Sequence, residues 1–314
     1  MLSECIRLYE DREDVTLTTY VLDDSKEMLN GKRRPAVVIC PGGAYLSCSD
    51  RESEPVAMKF VAMGYHAFVL RYSTYSEGKN EFPDMSAPLT PKRCCQYPNP
   101  MNEVGMAFDL ICSYANEWHV DMERIAVCGF SAGAHNAAMY ATNWQSIPGA
   151  RRPATAILGY GLSDYVYKQE CAKKDIQGDR MAMEMLRASN IAYMGVEEPT
   201  METLDKVSPA RHITEHMPPT FLWATAEDGM VSVQQTIIMA SALADAHIPF
   251  EVHIFEKGPH GLSVATQAGA GAWSETDKDA EKWMALCEAW LMKRFRLDLP
   301  ELNAFQSAMR EGKI

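Results

Sequence analysis

No apolar run in this sequence approaches the length of a membrane span, and lysine and arginine form no cluster. The 30 basic residues are outnumbered by 42 acidic ones, which gives a formal net charge of −12. These absences argue against a membrane-spanning helix and against binding to nucleic acid or to anionic membranes. Residues 1–7 carry charges where a signal peptide would have its hydrophobic stretch, so we expect a cytoplasmic location.

The nine cysteines form no pattern that is typical of a disulfide framework. Their number is odd, and Cys40, Cys112 and Cys128 fall inside apolar strand or helix patterns. This distribution suits a reduced protein of the cytosol. Cys94 and Cys95 are the only adjacent pair, and nothing near them has the spacing of metal ligands. We therefore expect neither a metal site nor an organic cofactor.

Apolar strand patterns alternate with amphipathic helical patterns along most of the 314 residues. The middle strand patterns are continuous apolar runs, as expected for strands that are covered on both faces. Such alternation predicts an α/β fold with a mostly parallel sheet and helices on both faces. The predicted strands are residues 16–22, 36–40, 67–72, 125–130, 154–160, 220–226 and 250–255, and the predicted helices are residues 56–63, 101–118, 231–246 and 278–295.

Two segments interrupt this alternation. Residues 74–100 contain several prolines and little periodicity, which predicts a long irregular loop. Residues 164–219 are far too many for a simple crossover, and they contain one methionine-rich helical pattern at 179–192. Long insertions at the carboxyl edge of such sheets commonly shape a binding site. We predict a single domain over residues 1–314 in which 164–219 forms a small lid; a packing appendage is the alternative.

The segment Gly-Phe-Ser-Ala-Gly at residues 129–133 lies between an apolar strand pattern and an alanine-rich helical pattern. A serine between small residues at a sharp strand-to-helix turn is typical of a nucleophile elbow. Glycines are needed there because the turn has strained dihedral angles and brings the flanking elements close together. Ser131 is therefore the predicted nucleophile, and a plain glycine-rich turn is the alternative reading.

A serine nucleophile needs a base, and the base needs an acid to orient it. In this fold class the acid and then the base follow the nucleophile along the chain. His260 lies in a turn directly after the last predicted strand, and Asp228 ends the strand before it. Asp164, at the end of the strand after the elbow, is the rival acid, and strand alternation turns Glu227 the other way. The less suitable histidines lie within or beside other elements: His66, His135, His212, His216 and His253.

The predicted oxyanion hole combines the elbow with an early glycine-containing loop. One donor is the backbone N–H of Ala132, directly after the predicted nucleophile. The loop Pro-Gly-Gly-Ala-Tyr at residues 41–45 follows a predicted strand, and the amides of Gly43 and Ala44 are the candidate second donors. Tyr45, at the end of this loop, is a predicted substrate contact.

These motifs, in this order, resemble those of the α/β-hydrolase superfamily, and within it the esterase branch related to hormone-sensitive lipase and to bacterial acetyl-xylan and feruloyl esterases. The resemblance covers roughly residues 15–296 and implies Ser131 as nucleophile, Asp228 as acid and His260 as base. Many relatives have His-Gly-Gly-Gly where Pro-Gly-Gly-Ala stands at 41–44. Ala44 keeps its amide, but its methyl group narrows the acyl side of the site.

The function that follows is that of a serine carboxylesterase acting on short-chain, chiefly acetyl, esters of sugars or xylo-oligosaccharides. A prolyl-type exopeptidase of the same fold is an alternative, although the propeller domain of such enzymes is not in this sequence. A non-catalytic binding module that kept the fold is a second alternative. The expected partner is a small-molecule ester, and the sequence leaves the alcohol half of the substrate and a homo-oligomer open.

Overall fold

The computed structural model describes residues 1–174 and 180–313, which fold around one eight-stranded sheet. The strands are β1 (Cys5–Arg7), β2 (Thr16–Tyr20), β3 (Arg34–Cys40), β4 (His66–Arg71), β5 (Val120–Phe130), β6 (Thr155–Gly159), β7 (Thr220–Thr225) and β8 (Phe250–Phe255). The α-helices are α1 (Glu54–Ala62), α2 (Asn99–Ser113), α3 (Ala132–Asn143), α4 (Tyr165–Lys174), α5 (Arg180–Met194), α6 (Met201–Lys206), α7 (Gln234–Asp245), α8 (Trp283–Met292) and α9 (Ala304–Arg310).

The sheet has the strand order β1-β2-β4-β3-β5-β6-β7-β8. Strands β3 to β8 pair in parallel, whereas β2 pairs antiparallel with both β1 and β4. The carboxyl ends of β5, β6, β7 and β8 therefore meet at one edge of the sheet. The predicted α/β class with a mostly parallel sheet is confirmed.

Both faces of the central strands are buried, which explains their continuous apolar sequences. Successive side chains of a strand point to opposite faces. In β3, Val38 and Cys40 pack into one core cluster with residues of α2 and α3, while Val37 and Ile39 pack into a second cluster with residues of α1 and α8. Apolar layers thus pack on both faces of the sheet, and the loops that follow β5 to β8 emerge from its carboxyl edge.

Most predicted elements are present, with shifted ends. Strand β5 begins at Val120 rather than at 125, and α2 ends at Ser113 rather than at 118. The amino-terminal strand β1 and the carboxy-terminal helix α9 were not predicted. Both are short and have no fully buried residue, so their sequences carry little hydrophobic periodicity.

Among the described residues, the insertion between β6 and β7 contains three α-helices where the sequence predicted one. Helix α5 covers most of the predicted segment 179–192, but α4 was missed because its residues show little amphipathic periodicity. Helix α6 has six residues, and the Thr200 side chain caps it by accepting from the Thr203 N–H. Asp175 and Asp179, which the sequence places beside the predicted helix, lie outside the described residues.

None of the helices in the described ranges combines the length and the apolar character that crossing a membrane would need.

Candidate active site

Ser131 occupies the sharp turn between β5 and α3. Its φ of 51° and ψ of −120° place it in a region that non-glycine residues rarely adopt. The turn is possible because two flanking glycines leave room: a Cβ on Gly129 would lie 2.2 Å from the carbonyl oxygen of Gly133, and one on Gly133 would lie 2.0 Å from that of Cys40. The elbow that the sequence predicted is therefore built by close backbone packing.

Loops at the carboxyl edge of the sheet bring His260 and Asp228 to this serine. His260 Nε2 lies 2.8 Å from Ser131 Oγ, and His260 Nδ1 lies 2.7 Å from Asp228 Oδ2. A carboxylate can only accept, so Nδ1 donates to Asp228, which leaves Nε2 free to accept the serine proton. The Asp228 side chain is 1% exposed, and that of His260 is 13% exposed. The three predicted residues thus form one continuous line of hydrogen bonds.

The rival acids lie elsewhere. Asp164 Oδ2 accepts from Arg211 Nε at 2.8 Å, and its Oδ1 accepts from the Tyr167 N–H at 2.9 Å. Glu227 is exposed, and its carboxylate lies 3.5 Å from the Gly258 N–H. Neither carboxylate is bonded to His260.

Two of the other histidines are buried and held in their neutral form. His135, one turn after Ser131 on α3, bonds the Tyr45 hydroxyl through Nδ1 at 2.5 Å and the Val207 carbonyl through Nε2 at 2.8 Å. Burial lowers the pKa of His135 to about 4. His66 begins β4, and burial together with the charge of Arg34 lowers its pKa to about 4 as well. Both side chains fill the interior.

The three predicted oxyanion donors are backbone amides of the elbow and of the loop at residues 41–45. Among the residues that the structure describes, the N–H groups of Gly43, Ala44 and Ala132 have no hydrogen-bond partner. Ala44, Ser131 and Ala132 line the same cavity. The first amide of α3 also carries the partial positive charge of a helix amino terminus. This arrangement can hold an oxygen that becomes negatively charged.

The loop that carries these amides depends on two glycines. A Cβ on Gly43, which has a φ of +131°, would lie 2.1 Å from the Ser47 carbonyl oxygen, and one on Gly42 would lie 2.9 Å from the Cβ of Ser131. Ala44 itself has a φ of 55°, in the left-handed region. Strain and close packing therefore fix the loop against the elbow.

The placement of Tyr45 differs from the prediction of a substrate contact. Its side chain is fully buried and lies behind the loop, outside the lining of the cavity. The ring stacks on Tyr193 of α5 with centroids 4.0 Å apart, and its hydroxyl bonds His135. Tyr45 is large and apolar enough to enter the core, and the left-handed backbone before it turns the side chain inward.

A small cavity of about 60 Å³ opens beside Ser131. Apolar side chains dominate its wall, and residues from the insertion form one side of it, among them Leu162, Tyr165, Met185 and Leu186. Its volume exceeds what a single water needs. The cavity fits a short substituent next to the serine.

Lys168 of α4 also lines this cavity, and sequence reasoning did not find it. Its Nζ donates to the Met230 carbonyl at 2.7 Å. Burial lowers the pKa of Lys168, while the nearby charge of Asp228 raises it. The weak periodicity of α4 gave no signal that this side chain would turn toward the site.

Comparisons with known proteins agree with this architecture. The BD-FAE family model matches residues 90–243. MGS-M1, an α/β-hydrolase enzyme from a Medee basin deep-sea metagenome library, is 31% identical, with 93% of this chain and 97% of that chain covered and a TM-score of 0.69. An acetyl ester-xyloside bifunctional hydrolase from Caldicellulosiruptor lactoaceticus is 27% identical, with 92% and 96% covered and a TM-score of 0.69.

Curated relatives match over most of this chain but are longer proteins. Endo-1,4-beta-xylanase B of Butyrivibrio fibrisolvens is 28% identical over 80% of this chain and 36% of its own length. The probable carboxylic ester hydrolase LipM of Mycobacterium tuberculosis is 24% identical over 71% of this chain and 49% of its own length. The chain thus spans between a third and a half of these two relatives. From its sheet, its elbow and its likeness to MGS-M1 over nearly the full length of both chains, the chain belongs to the α/β-hydrolase superfamily.

Proposed function

We propose that the protein is a serine carboxylesterase that hydrolyses short-chain esters, with acetylated sugars or xylo-oligosaccharides as its substrate class. The observation that carries this proposal is the line of hydrogen bonds from Asp228 through His260 to Ser131, next to three amides that have no partner in the described part of the chain. Nucleophile, base, acid and oxyanion donors are the parts that acyl transfer needs.

In the first half of the reaction, Ser131 Oγ attacks the ester carbonyl carbon while its proton passes to His260 Nε2. The carbonyl π electrons move to the oxygen, which the amides of Gly43, Ala44 and Ala132 stabilise. When the intermediate collapses, the bond from carbon to the alkoxy oxygen breaks, and Nε2 returns the proton to the leaving alcohol. Asp228 stabilises the imidazolium throughout by accepting from Nδ1.

In the second half, water takes the place of the alcohol. His260 Nε2 removes a proton from the water, whose oxygen attacks the acyl carbon of the ester on Ser131. The tetrahedral intermediate again places its negative oxygen on the amides. Its collapse breaks the bond to Ser131 Oγ, which regains a proton from Nε2, and the carboxylic acid is released.

The substrate class rests on the cavity and on the relatives. A cavity of about 60 Å³ next to the serine suits an acetyl group. Two of the similar proteins are an acetyl ester-xyloside bifunctional hydrolase and an endo-1,4-beta-xylanase, and a third is a probable carboxylic ester hydrolase. Together they favour acetylated xylo-oligosaccharides over long-chain lipids.

The test combines labelling with hydrolysis. Wild-type protein and Ser131→Ala are incubated with a fluorophosphonate and then assayed with p-nitrophenyl acetate and with acetylated xylo-oligosaccharides. We expect labelling and turnover in the wild type and neither above background in Ser131→Ala, because the variant removes a step rather than a contact. Ser146→Ala, an exposed serine that follows α3, is the matched control and keeps both signals.

Two results would contradict the proposal. Turnover by Ser131→Ala near the wild-type rate would rule out the serine mechanism. Failure of the wild type to bind the label would favour a binding module. A panel of dipeptide amides run beside the acetyl esters separates an esterase from an exopeptidase.

A further inference from the structure

Glu52 is a buried carboxylate directly beside the loop at residues 41–45, here called the oxyanion loop. Its side chain is 4% exposed, and its Oε2 accepts the backbone N–H of Gly42 at 2.7 Å. Gly42 immediately precedes Gly43 and Ala44, the two predicted oxyanion donors of this loop. The carboxylate therefore fixes the backbone at the start of the loop that carries these two donors.

The other oxygen of Glu52 reaches the histidine side of the site. Its Oε1 accepts from the Tyr160 hydroxyl at 2.6 Å, and this hydroxyl in turn accepts from the Ser263 N–H at 2.9 Å. Ser263 lies on the same loop as His260, three residues further along. The ring of Tyr160 also meets the His260 ring edge-on, with centroids 5.1 Å apart.

Burial of the Glu52 carboxylate costs free energy unless both of its oxygens accept hydrogen bonds, because the buried group loses its hydration. Two hydrogen bonds to a charged acceptor are stronger than neutral ones, and they offset much of that cost. Burial and the charge of Glu52 raise the pKa of Tyr160 well above its usual range, so the hydroxyl stays protonated and donates. Both oxygens of Glu52 and the Tyr160 hydroxyl thus have hydrogen-bond partners.

We propose that Glu52, acting through Gly42 and through Tyr160, is a positioning residue that holds the oxyanion loop and the His260 loop in register with each other. The inference rests on the proposed esterase function. Both loops must be correct at once, because the oxyanion donors and the base act on the same tetrahedral intermediate. One carboxylate with two acceptor atoms joins them, directly at Gly42 and through the Tyr160 hydroxyl at Ser263.

The main test is Glu52→Gln. The two bonds are accepted by different oxygens of Glu52, and glutamine replaces one of these oxygens with an NH2 group that donates, so either the Gly42 N–H or the Tyr160 hydroxyl loses its acceptor. We expect kcat for p-nitrophenyl acetate to fall about 100-fold, the size of effect that a displacement of about 1 Å can have, with KM nearly unchanged. A trifluoromethyl ketone, which adds to the serine as a tetrahedral adduct, should lose affinity in proportion to kcat/KM.

A conservative second variant keeps the test decisive if Glu52→Gln folds poorly. Tyr160→Phe removes only the hydroxyl that bridges Glu52 and Ser263, and we expect kcat and ketone affinity to fall together in it as well. In both variants, titration of active sites with a fluorophosphonate to its end point counts the folded molecules. Correcting for that count removes any loss that comes from instability alone.

Glu103→Gln is the matched control. Glu103 is also fully buried, and it also accepts a backbone N–H, from Ser73 at 2.6 Å, and a tyrosine hydroxyl, from Tyr9 at 3.2 Å. It does not line the cavity beside Ser131. We expect its variant to lose stability but to keep kcat per titrated site within about twofold of the wild type.

The outcomes separate the two proposals. A wild type that hydrolyses no ester contradicts the esterase function itself. An active wild type whose Glu52→Gln and Tyr160→Phe variants keep kcat and ketone affinity at the level of Glu103→Gln overturns the positioning role alone. A fall in kcat that tracks the ketone affinity supports it.

Discussion

Both oxygens of the Asp228 carboxylate accept hydrogen bonds. Oδ2 accepts from His260, and Oδ1 accepts the N–H groups of Met230 and Val231 at 2.9 and 2.8 Å. The two backbone bonds come from the turn that follows β7, so the carboxylate cannot rotate away from the imidazole. Its orientation is set by local backbone before any substrate binds.

Asp228→Asn should therefore leave His260 in place but favour the wrong tautomer. By analogy with serine-protease triads, we expect kcat to fall by up to about four orders of magnitude. Steady-state hydrolysis of p-nitrophenyl acetate measures it. Asp164→Asn is the comparison: it weakens the ion pair with Arg211, and we expect lower stability with nearly unchanged kcat. A larger loss in Asp164→Asn would reverse the assignment of the acid.

The sequence predicts the role of a single residue where that residue belongs to a short local motif. Ser131 lies in a five-residue pattern, and Asp228 and His260 follow strands in a known order, so the hydrogen-bonded line was predictable. Glu52 was not, because its partner Tyr160 is 108 positions away and no spacing rule connects them. Tyr45 was misjudged because the left-handed backbone at Ala44 and Tyr45 decides the direction of its side chain.

At the scale of elements, the insertion between β6 and β7 shapes the cavity. Helix α4 contributes Tyr165 and Lys168, and α5 contributes Met185, Leu186 and Ser189. The aromatic contact between Tyr193 of α5 and Tyr45 also joins the insertion to the loop at residues 41–45. The role of a lid stays a prediction, and its consequence for the acyl group can be measured.

We expect acetyl esters to be preferred over butyryl esters and far over octanoyl esters. An added methylene gains about 0.8 kcal/mol only where it finds apolar surface to bury, and a filled cavity turns that gain into a clash. The values of kcat/KM for p-nitrophenyl esters of increasing acyl length measure this. A higher value for octanoyl than for acetyl would replace the acetyl-esterase proposal with a lipase-like one.

Met185→Ala should shift that preference. Met185 lines the cavity from α5, so its truncation makes room for further methylenes, and we expect the ratio of butyryl to acetyl kcat/KM to rise. Met201→Ala is the matched control, because Met201 lies on α6 of the same insertion and is 50% exposed. An equal shift in both variants, or in neither, would argue that α5 does not limit the acyl group.

The strands of the parallel sheet were predictable from sequence because burial on both faces leaves continuous apolar runs. The insertion was predictable only as an interruption of the alternation between strands and helices, and two of its three described α-helices were not predicted. Its helices pack against the loop 41–45 and against α3 through scattered contacts such as that between Tyr193 and His135. Such contacts follow neither a period of 3.6 nor one of 2, so α4 had no readable pattern.

At the scale of the whole molecule, three buried groups outside the proposed mechanism have pKa values that burial shifts within the range from about pH 4 to 7. His66 and His135 have pKa values lowered from 6.5 to about 4, chiefly by burial. Glu103 has a pKa raised from 4.5 to about 7, again chiefly by burial, although Ser73 and Arg12 act in the opposite direction. The histidines and the glutamate therefore have opposite effects on stability.

Between about pH 4.5 and 6.5 the unfolded chain binds up to two more protons at the histidines than the folded one. In the same window the folded chain holds one more proton at Glu103. The net excess of about one proton in the unfolded state makes the free energy of unfolding fall as the pH falls, by about 1.4 kcal/mol per pH unit at most. Denaturant titrations at pH 7, 6 and 5 measure this slope.

Glu103→Gln removes the group that opposes the histidines. Stability should then fall more steeply below pH 6.5, with a limiting slope of about 2.7 kcal/mol per pH unit for two protons. His66→Gln should flatten the slope instead, because it removes one of the two histidines that bind a proton on unfolding. The glutamine amide oxygen can still accept the Leu22 N–H that His66 Nδ1 accepts at 3.0 Å, so the local structure is kept. The same slope in the wild type, Glu103→Gln and His66→Gln would mean that other titratable groups dominate the pH dependence of stability. A flatter slope in Glu103→Gln would show that this carboxyl is ionised in the folded protein at pH 5, contrary to its burial.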